Sequence, residues 1–195
     1  MRKEKDSMGF VEVPDNVYYG AQTKRASDNF PISNIKIPLE LIYSIAIIKR
    51  SAAIVNHKLG KLDLKLKNAI IQATNDIIGK NLDDNFIIDI FQTGSGTSTN
   101  MNVNEVIANK ANQILGGKLG DKAPVHPNDH VNMGQSSNDV IPSSIHISAK
   151  KAIINNLIPS LEELSKSLKN KEKEFDKIIK IGRTHLQDAT PISLG

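Results

Sequence analysis

The sequence predicts a mainly α fold, and three observations predict it. Apolar residues recur every three to four positions through most of the chain, Gly, Pro or a capping residue closes each such stretch, and only two short runs look like strands. Over 39–59, Leu41, Ile42, Ile45, Ile48, Ala52 and Val55 fall on helical spacing, with Pro38 at the entrance and Gly60 as the stop. A second helix follows Asp63, whose carboxylate suits an N-cap; it carries Leu66, Ile70, Ala73 and Ile77 and ends at Gly79. The third carries a stripe of Met101, Val103, Ile107, Ala111, Ile114 and Leu115 up to Gly116-Gly117. Beyond Asn138 another helix begins with Pro142 tolerated in its first turn, and at Asn156 and Pro159 a further one takes over, with Leu157, Leu161, Leu164 and Leu168 on a bundle-like stripe. The strand candidates are 10–13, which alternates before Pro14, and 178–181, which leads into Gly182. The charged N-terminus reads as a frayed tail, and Pro191 in TPISLG as the opening of another helix.

Composition narrows the class. The 195 residues are enough for one domain or two small ones, and 39% hydrophobic against 24% charged residues carries no signature of disorder. No apolar run is long enough to span a bilayer, and MRKEKDSMGF lacks the apolar segment of a secretory signal, so a cytoplasmic location is the default expectation. With no cysteine, disulfides, thiolate metal sites and cysteine nucleophiles are excluded together. The net charge of +4 is spread among acids, as in KNKEKEFDKIIK, and aromatics are 4%, which argues against a nucleic-acid partner. The long connection over 116–135 marks the likeliest change of domain, dividing 1–135 from 136–195.

Chemistry concentrates in three polar segments: TGSGTSTN at 93–100, HPNDHVNMGQSSND at 126–139 and GRTHLQDATP at 182–191. Each sets neutral hydrogen-bond donors beside Gly or Pro, which suits a site that wraps a small anion closely without neutralising it. In the first, Gly94 and Gly96 let backbone approach a ligand, Ser95, Thr97 and Thr99 offer hydroxyls, and the helix that follows would present unpaired N–H groups with partial positive charge. No Lys follows the second Gly and no strand–GxGxxG–helix unit surrounds it, so nucleotide loops do not fit; a plain Ser/Thr-capped turn fits as well as a ligand loop. In the second, Pro127 and Asn128-Asp129 break the spacing between His126 and His130, which speaks against zinc and for an Asx turn, with Ser136, Ser137 and Asn138 as a capping region. In the third, His185 can exchange protons near neutral pH beside Thr184, or it can be structural, with Arg183 and Asp188 as an ion pair holding the turn. His57 and His146 lie within helical patterns and are given structural roles.

Together these segments resemble the signature regions of the class II fumarases, within the fumarase/aspartase superfamily, over about 9–195. The resemblance implies a fumarase/aspartase-like fold: an N-terminal lyase domain, here 1–135, and a central bundle of long helices, of which 136–195 would be the first part. It implies fumarate hydratase activity, the reversible trans addition of water to fumarate to give L-malate in the tricarboxylic acid cycle, without metal or organic cofactor. It also implies a homotetramer, with no nucleic-acid or membrane partner. By position, Ser95, Gly96, Thr97, Ser136, Ser137, Asn138 and Thr184 resemble substrate contacts, and His185 resembles the catalytic histidine. His126, Pro127, Asn128 and Asp129 resemble a second dicarboxylate site near the surface. Aspartases share much of this pattern but typically carry Gln where this chain has His185, so hydration is preferred to ammonia lysis. The family's flexible Gly-Ser-Ser loop has no counterpart within the 195 residues. The chain therefore reads as part of a longer protein, inactive alone or serving as a silent assembly module through its exposed helix face.

Overall fold

In the computed structural model, which describes all 195 residues, the charged N-terminus is a hairpin and not a frayed tail. Strand β1 (Arg2–Asp6) pairs antiparallel with β2 (Gly9–Val13). Several charges that looked solvated have partners. The Asp6 carboxylate receives the Met8 N–H at 2.8 Å within the turn and the Arg25 guanidinium at 2.7 Å, and Arg25 holds its carboxyl below the usual range. The Arg2 guanidinium donates to the carbonyls of Pro14, Val17 and Tyr19, pinning the strand to the segment that leads into the first helix.

That helix, α1 (Ala21–Asn29), was not expected, because AQTKRASDN has no apolar stripe to betray it. The others follow the periodicity: α2 (Leu39–Lys58), α3 (Leu64–Ile78), α4 (Thr97–Ile114) and α5 (Ser137–Ala152). Asp63 caps α3 as expected, its carboxylate taking the Lys65 N–H at 2.7 Å. α5 starts one residue before Asn138, with the Ser136 hydroxyl accepting the Asn138 N–H at 3.2 Å. Ile42 and Ile45 of α2, Ile70 and Ile77 of α3, and Val103, Val106 and Ile107 of α4 form one closed core.

Helix α4 departs from the one-stripe reading. Most of its circumference is buried: Asn100, Asn102, Asn104, Glu105, Asn109 and Asn112 are buried together with Val103, Val106, Ile107 and Ala111, while Gln113 is exposed. Most of these polar groups satisfy a loop. The Asn102 amide donates to Asn85 O at 3.0 Å and that of Asn109 to Tyr18 O at 2.8 Å, while Asn112 exchanges two hydrogen bonds with the Val125 backbone. Glu105 receives the N–H groups of Gly20, Gln22 and Thr23 and the Thr23 hydroxyl, so it caps α1 from across the fold. Burial pushes its carboxyl above the ordinary value while these four donors pull against it.

The chain forms two compact units, Met1–Ser148 and Ala149–Gly195, with the division inside α5. In the second, a single π turn at Ile153–Leu157 precedes α6 (Ile158–Phe175), and β3 (Ile179–Thr184) pairs antiparallel with β4 (Gln187–Ser193). Pro191 therefore lies in a strand and does not open a helix. It sits opposite Ile181, beside a register shift between Ile181 and Arg183, where a residue without an N–H is tolerated. Leu157, Leu161, Leu164 and Leu168 are all more than half exposed. No helix is long and apolar enough to cross a membrane.

A Cβ on Gly20 would lie 2.8 Å from Glu4 Oε2 and 2.9 Å from Glu105 Oε1, and both carboxylates are held by hydrogen bonds. Gly20→Ala is expected to lower stability by about 1–3 kcal/mol in urea unfolding. Unchanged stability would mean that these two carboxylates can withdraw freely.

Candidate active site

The first two polar segments meet within the first unit. Gly96 stands at the head of α4 with φ +66°, a left-handed conformation that favours glycine, and a Cβ there would press on Ile141 Cγ1 at 3.0 Å. The loop that delivers Ser95 and Thr97 is thus seated directly on α5. Ser95 Oγ and Thr97 Oγ1 lie 2.9 Å apart, so one hydroxyl proton is used between them and the other is left for a ligand.

The helix-end amides expected to serve an anion are largely committed to the protein itself. The Ser98 N–H donates to Thr93 Oγ1 at 3.2 Å and the Thr99 N–H to Gln92 Oε1 at 2.9 Å; the Thr99 hydroxyl also donates to Gln92. Gln92, which lies just before the glycine loop and carried no motif signal, acts as the cap. Side-chain hydroxyls, more than helix N–H groups, remain as the donors of this loop.

Asn100, at the end of the first segment, ties it to the second. Its Nδ2 donates to Ser137 Oγ at 2.9 Å and to Asn132 Oδ1 at 3.2 Å. Asn132 Oδ1 also accepts from Lys49 Nζ at 2.7 Å, and Asn132 Nδ2 donates to Gln135 O. From the same helix, α2, Asn56 donates to Met133 O. Asn100 is 1% exposed and its Oδ1 has no hydrogen-bond partner. Leaving a buried acceptor bare costs about 1–3 kcal/mol. The orientation of the Asn100 amide is therefore imposed by what its nitrogen binds.

Lys49 is fully buried, and burial alone lowers its amine to about 7. Sequence reasoning passed over it. The signal was there, since Lys49 lies four residues after Ile45 and four before Ala53, on the buried stripe of α2. Asn100 and Asn132 lie within the polar segments but were given no role, because a polar residue in sequence carries no mark of burial.

Residues 126–131 correct one expectation. Pro127–Val131 is a single π turn, and the side chain that caps it is His126, whose Nδ1 accepts the N–H groups of Asn128 and Asp129 at 3.3 and 3.2 Å. An imidazole lone pair does the work expected of an Asx turn. Asp129 Oδ2 also lies 3.2 Å from that nitrogen, so protonation there would exchange two backbone donors for one carboxylate. The His126 N–H donates to His130 Nδ1 at 2.8 Å, and burial lowers the His130 pKa. Asn128 and Asp129 are exposed.

His185 belongs to the second unit. With Leu186 it forms the two-residue turn between β3 and β4, at φ +49° and +60°, conformations that non-glycine residues adopt at a cost of about 1–3 kcal/mol each. The flanking pair is Thr184 and Gln187, and Arg183 Nε meets Asp188 Oδ1 at 3.1 Å across the hairpin, the ion pair expected from sequence. Both sides of that pair are well exposed, so it orients more than it stabilises. His185 and Thr184 stand exposed at the tip. His57 accepts its structural role through a 2.8 Å contact between Nδ1 and Leu62 O.

A family model described as "Lyase" matches residues 9–195, and the chain belongs to that family. Its relatives include the protein named class II fumarate hydratase 2 of Bradyrhizobium diazoefficiens, 55% identical over 194 residues covering 100% of this chain and 41% of that protein. The mitochondrial fumarate hydratase of Schizosaccharomyces pombe is 55% identical over 196 residues, covering 100% and 38%. Among solved structures, recombinant class II fumarase from Schistosoma mansoni superposes with a TM-score of 0.92 at 46% identity, covering 99% of this chain and 41% of that one. The native fumarate lyase:delta crystallin of Brucella melitensis gives 0.94 at 43% identity, covering 100% and 44%. This chain thus spans about two fifths of the length of the curated relatives it matches.

Because the Lys49 amine is depressed in the folded state, the unfolded chain binds more protons between pH 7 and 10.5, and stability contributed by this residue must rise with pH across that window. Lys49→Met should remove that rise, on the order of 4 kcal/mol, when urea unfolding of the two proteins is compared at pH 7 and pH 10. Parallel pH profiles would refute a buried neutral amine.

Proposed function

We propose that this chain supplies the carboxylate-binding loops and the proton-handling histidine of a fumarate hydratase. The observation that carries the reading is the Ser95–Thr97 hydroxyl pair on a left-handed glycine, tied through Asn100 to the Ser137 hydroxyl. Neutral donors of this kind suit a dicarboxylate. Starting from L-malate, a base takes a proton from the carbon beside one carboxylate, the electron pair moves onto that carboxylate as an aci-carboxylate dianion, and the hydroxyl of the neighbouring carbon then departs, protonated to water, to leave fumarate. Hydration runs the same steps backward. Charge grows on the carboxylate in the transition state, so donors aimed at it lower the barrier and do more than bind.

In this reading Ser95, Gly96, Thr97, Ser136, Ser137, Asn138 and Thr184 hold substrate, and His185 moves the proton of the attacking or departing water. The turn at His126, Pro127, Asn128 and Asp129 would be a second, outer dicarboxylate site, supported by the exposure of Asn128 and Asp129 and by resemblance. Residues 1–135 would be the N-terminal lyase domain and 136–195 the opening of a helical bundle. The exposed leucines of α6 support assembly with further helices; that this is a homotetramer in the cytoplasm, in which one site would draw on several copies, is supported by resemblance. The names of the relatives favour hydration over ammonia lysis.

The test is fumarate hydration by this chain co-expressed with a polypeptide spanning the remaining length of its relatives. Malate should form, and Thr97→Ala should lower kcat about 100-fold, the loss of one oxyanion-type donor. An assembled but inert complex, or near-normal turnover in the Thr97 variant, would contradict the proposal.

A further inference from the structure

Lys49 is a wholly buried amine on a helix that none of the three polar segments includes, and its one hydrogen bond goes to Asn132. From that contact a chain of polarised groups runs toward Ser137. Asn132 Oδ1 faces two donors, Lys49 Nζ and Asn100 Nδ2, while its Nδ2 faces the Gln135 carbonyl. The Asn132 amide is therefore fixed in one sense, with its oxygen toward α4. That oxygen turns the Asn100 amide so that Nδ2 points at it, and the same Nδ2 reaches Ser137 Oγ. A hydroxyl whose oxygen already accepts has its own proton free to donate elsewhere. The bare Asn100 Oδ1 shows that self-satisfaction does not set this orientation.

We propose that Lys49 is a positioning residue: through Asn132 and Asn100 it orients the Ser137 hydroxyl as an outward donor to a substrate carboxylate. The inference rests on the hydration reading above for its substrate, and on geometry alone for the relay. The arrangement is a specific one. Reversing the Asn100 amide would set its oxygen against Asn132 Oδ1, reversing the Asn132 amide would set its oxygen against the Gln135 carbonyl, and the acceptor state of Ser137 would no longer be enforced. No charged group other than the amine itself takes part, so the relay transmits direction and not charge.

Two readouts test it. The first does not depend on activity: in ¹⁵N spectra of this chain, the Asn100 side-chain amide should be protected from exchange, and Lys49→Met should shift it and speed its exchange while helical circular dichroism stays unchanged. Lys49→Gln, which keeps a donor, should restore part of the protection. If Lys49→Met does not fold, Asn132→Ala cuts the same relay one step later and should give the same loss at Asn100. An Asn100 amide indifferent to these changes overturns the proposal whatever the activity. The second is kinetic, in the assembly described above. Lys49→Met should lower kcat/KM for fumarate about 10-fold in the parent, yet change it less than twofold in a Ser137→Ala background, because its effect is exerted through that hydroxyl. A full 10-fold loss in both backgrounds marks a merely structural lysine and contradicts the proposal. Absence of hydration by the parent assembly would instead overturn the hydration reading, and the amide readout would still decide the relay.

Discussion

A helix buried around most of its circumference, polar residues included, is the constraint from which the first unit is organised. α4 cannot turn its polar residues to water, so most of them must be satisfied by another part of the chain. Glu105 gathers the start of α1, Asn102 and Asn109 hold the segments around Asn85 and Tyr18, Asn112 clasps Val125, and Asn100 takes Ser137. Each bond is modest by itself, about 1 kcal/mol net, but leaving one of these buried groups unpaired would cost more than making the pair gains. The polar side chains therefore act as selectors. They determine which loop lies where, and the apolar core then closes around that choice.

The candidate site follows from the same helix. Its head carries the glycine loop, and the first buried amide beyond that loop reaches the capping region of α5. Glycine at 96 permits the close seating on Ile141 that sets the two loops side by side. Because Gln92 and Thr93 consume the first helix amides, what the loop offers is a pair of hydroxyls. Hydroxyls donate without adding formal charge. They can therefore hold a dianion while leaving room for its charge to shift between ground and transition states, which a lysine or arginine clamp would flatten.

Much of this was legible in the sequence, and what was not legible has a common cause. The periodicities of α2 and α3 and the caps at Asp63 and Ser136 read directly, because apolar stripes and capping residues are local signals. The Arg183–Asp188 pair read correctly because a hairpin sets its spacing. Of the N-terminal hairpin only the strand at 10–13 was read; its partner was not, since charges there are satisfied by carbonyls of 14–19 and by Arg25, partners that only the tertiary fold supplies. α1 was hidden for a similar reason: its cap is Glu105, some eighty residues away in sequence. Pro191 misled because a local rule for helix starts was overruled by a bulged ladder. Within the candidate site, the motif hydroxyls were identified from sequence, whereas Lys49 and Gln92 lie outside the motifs, and these two and Asn132 were recognised only through burial and contact.

The central claim is that 93–100 and 126–139 present one preformed carboxylate-binding surface. Titrating this chain with succinate, an unreactive dicarboxylate, while following backbone ¹⁵N amide shifts tests it most directly. The account predicts that signals from 95–98 and 136–138 move together with a single dissociation constant, and that those of α3 stay in place. Shifts at one segment without the other, or at neither, would contradict it.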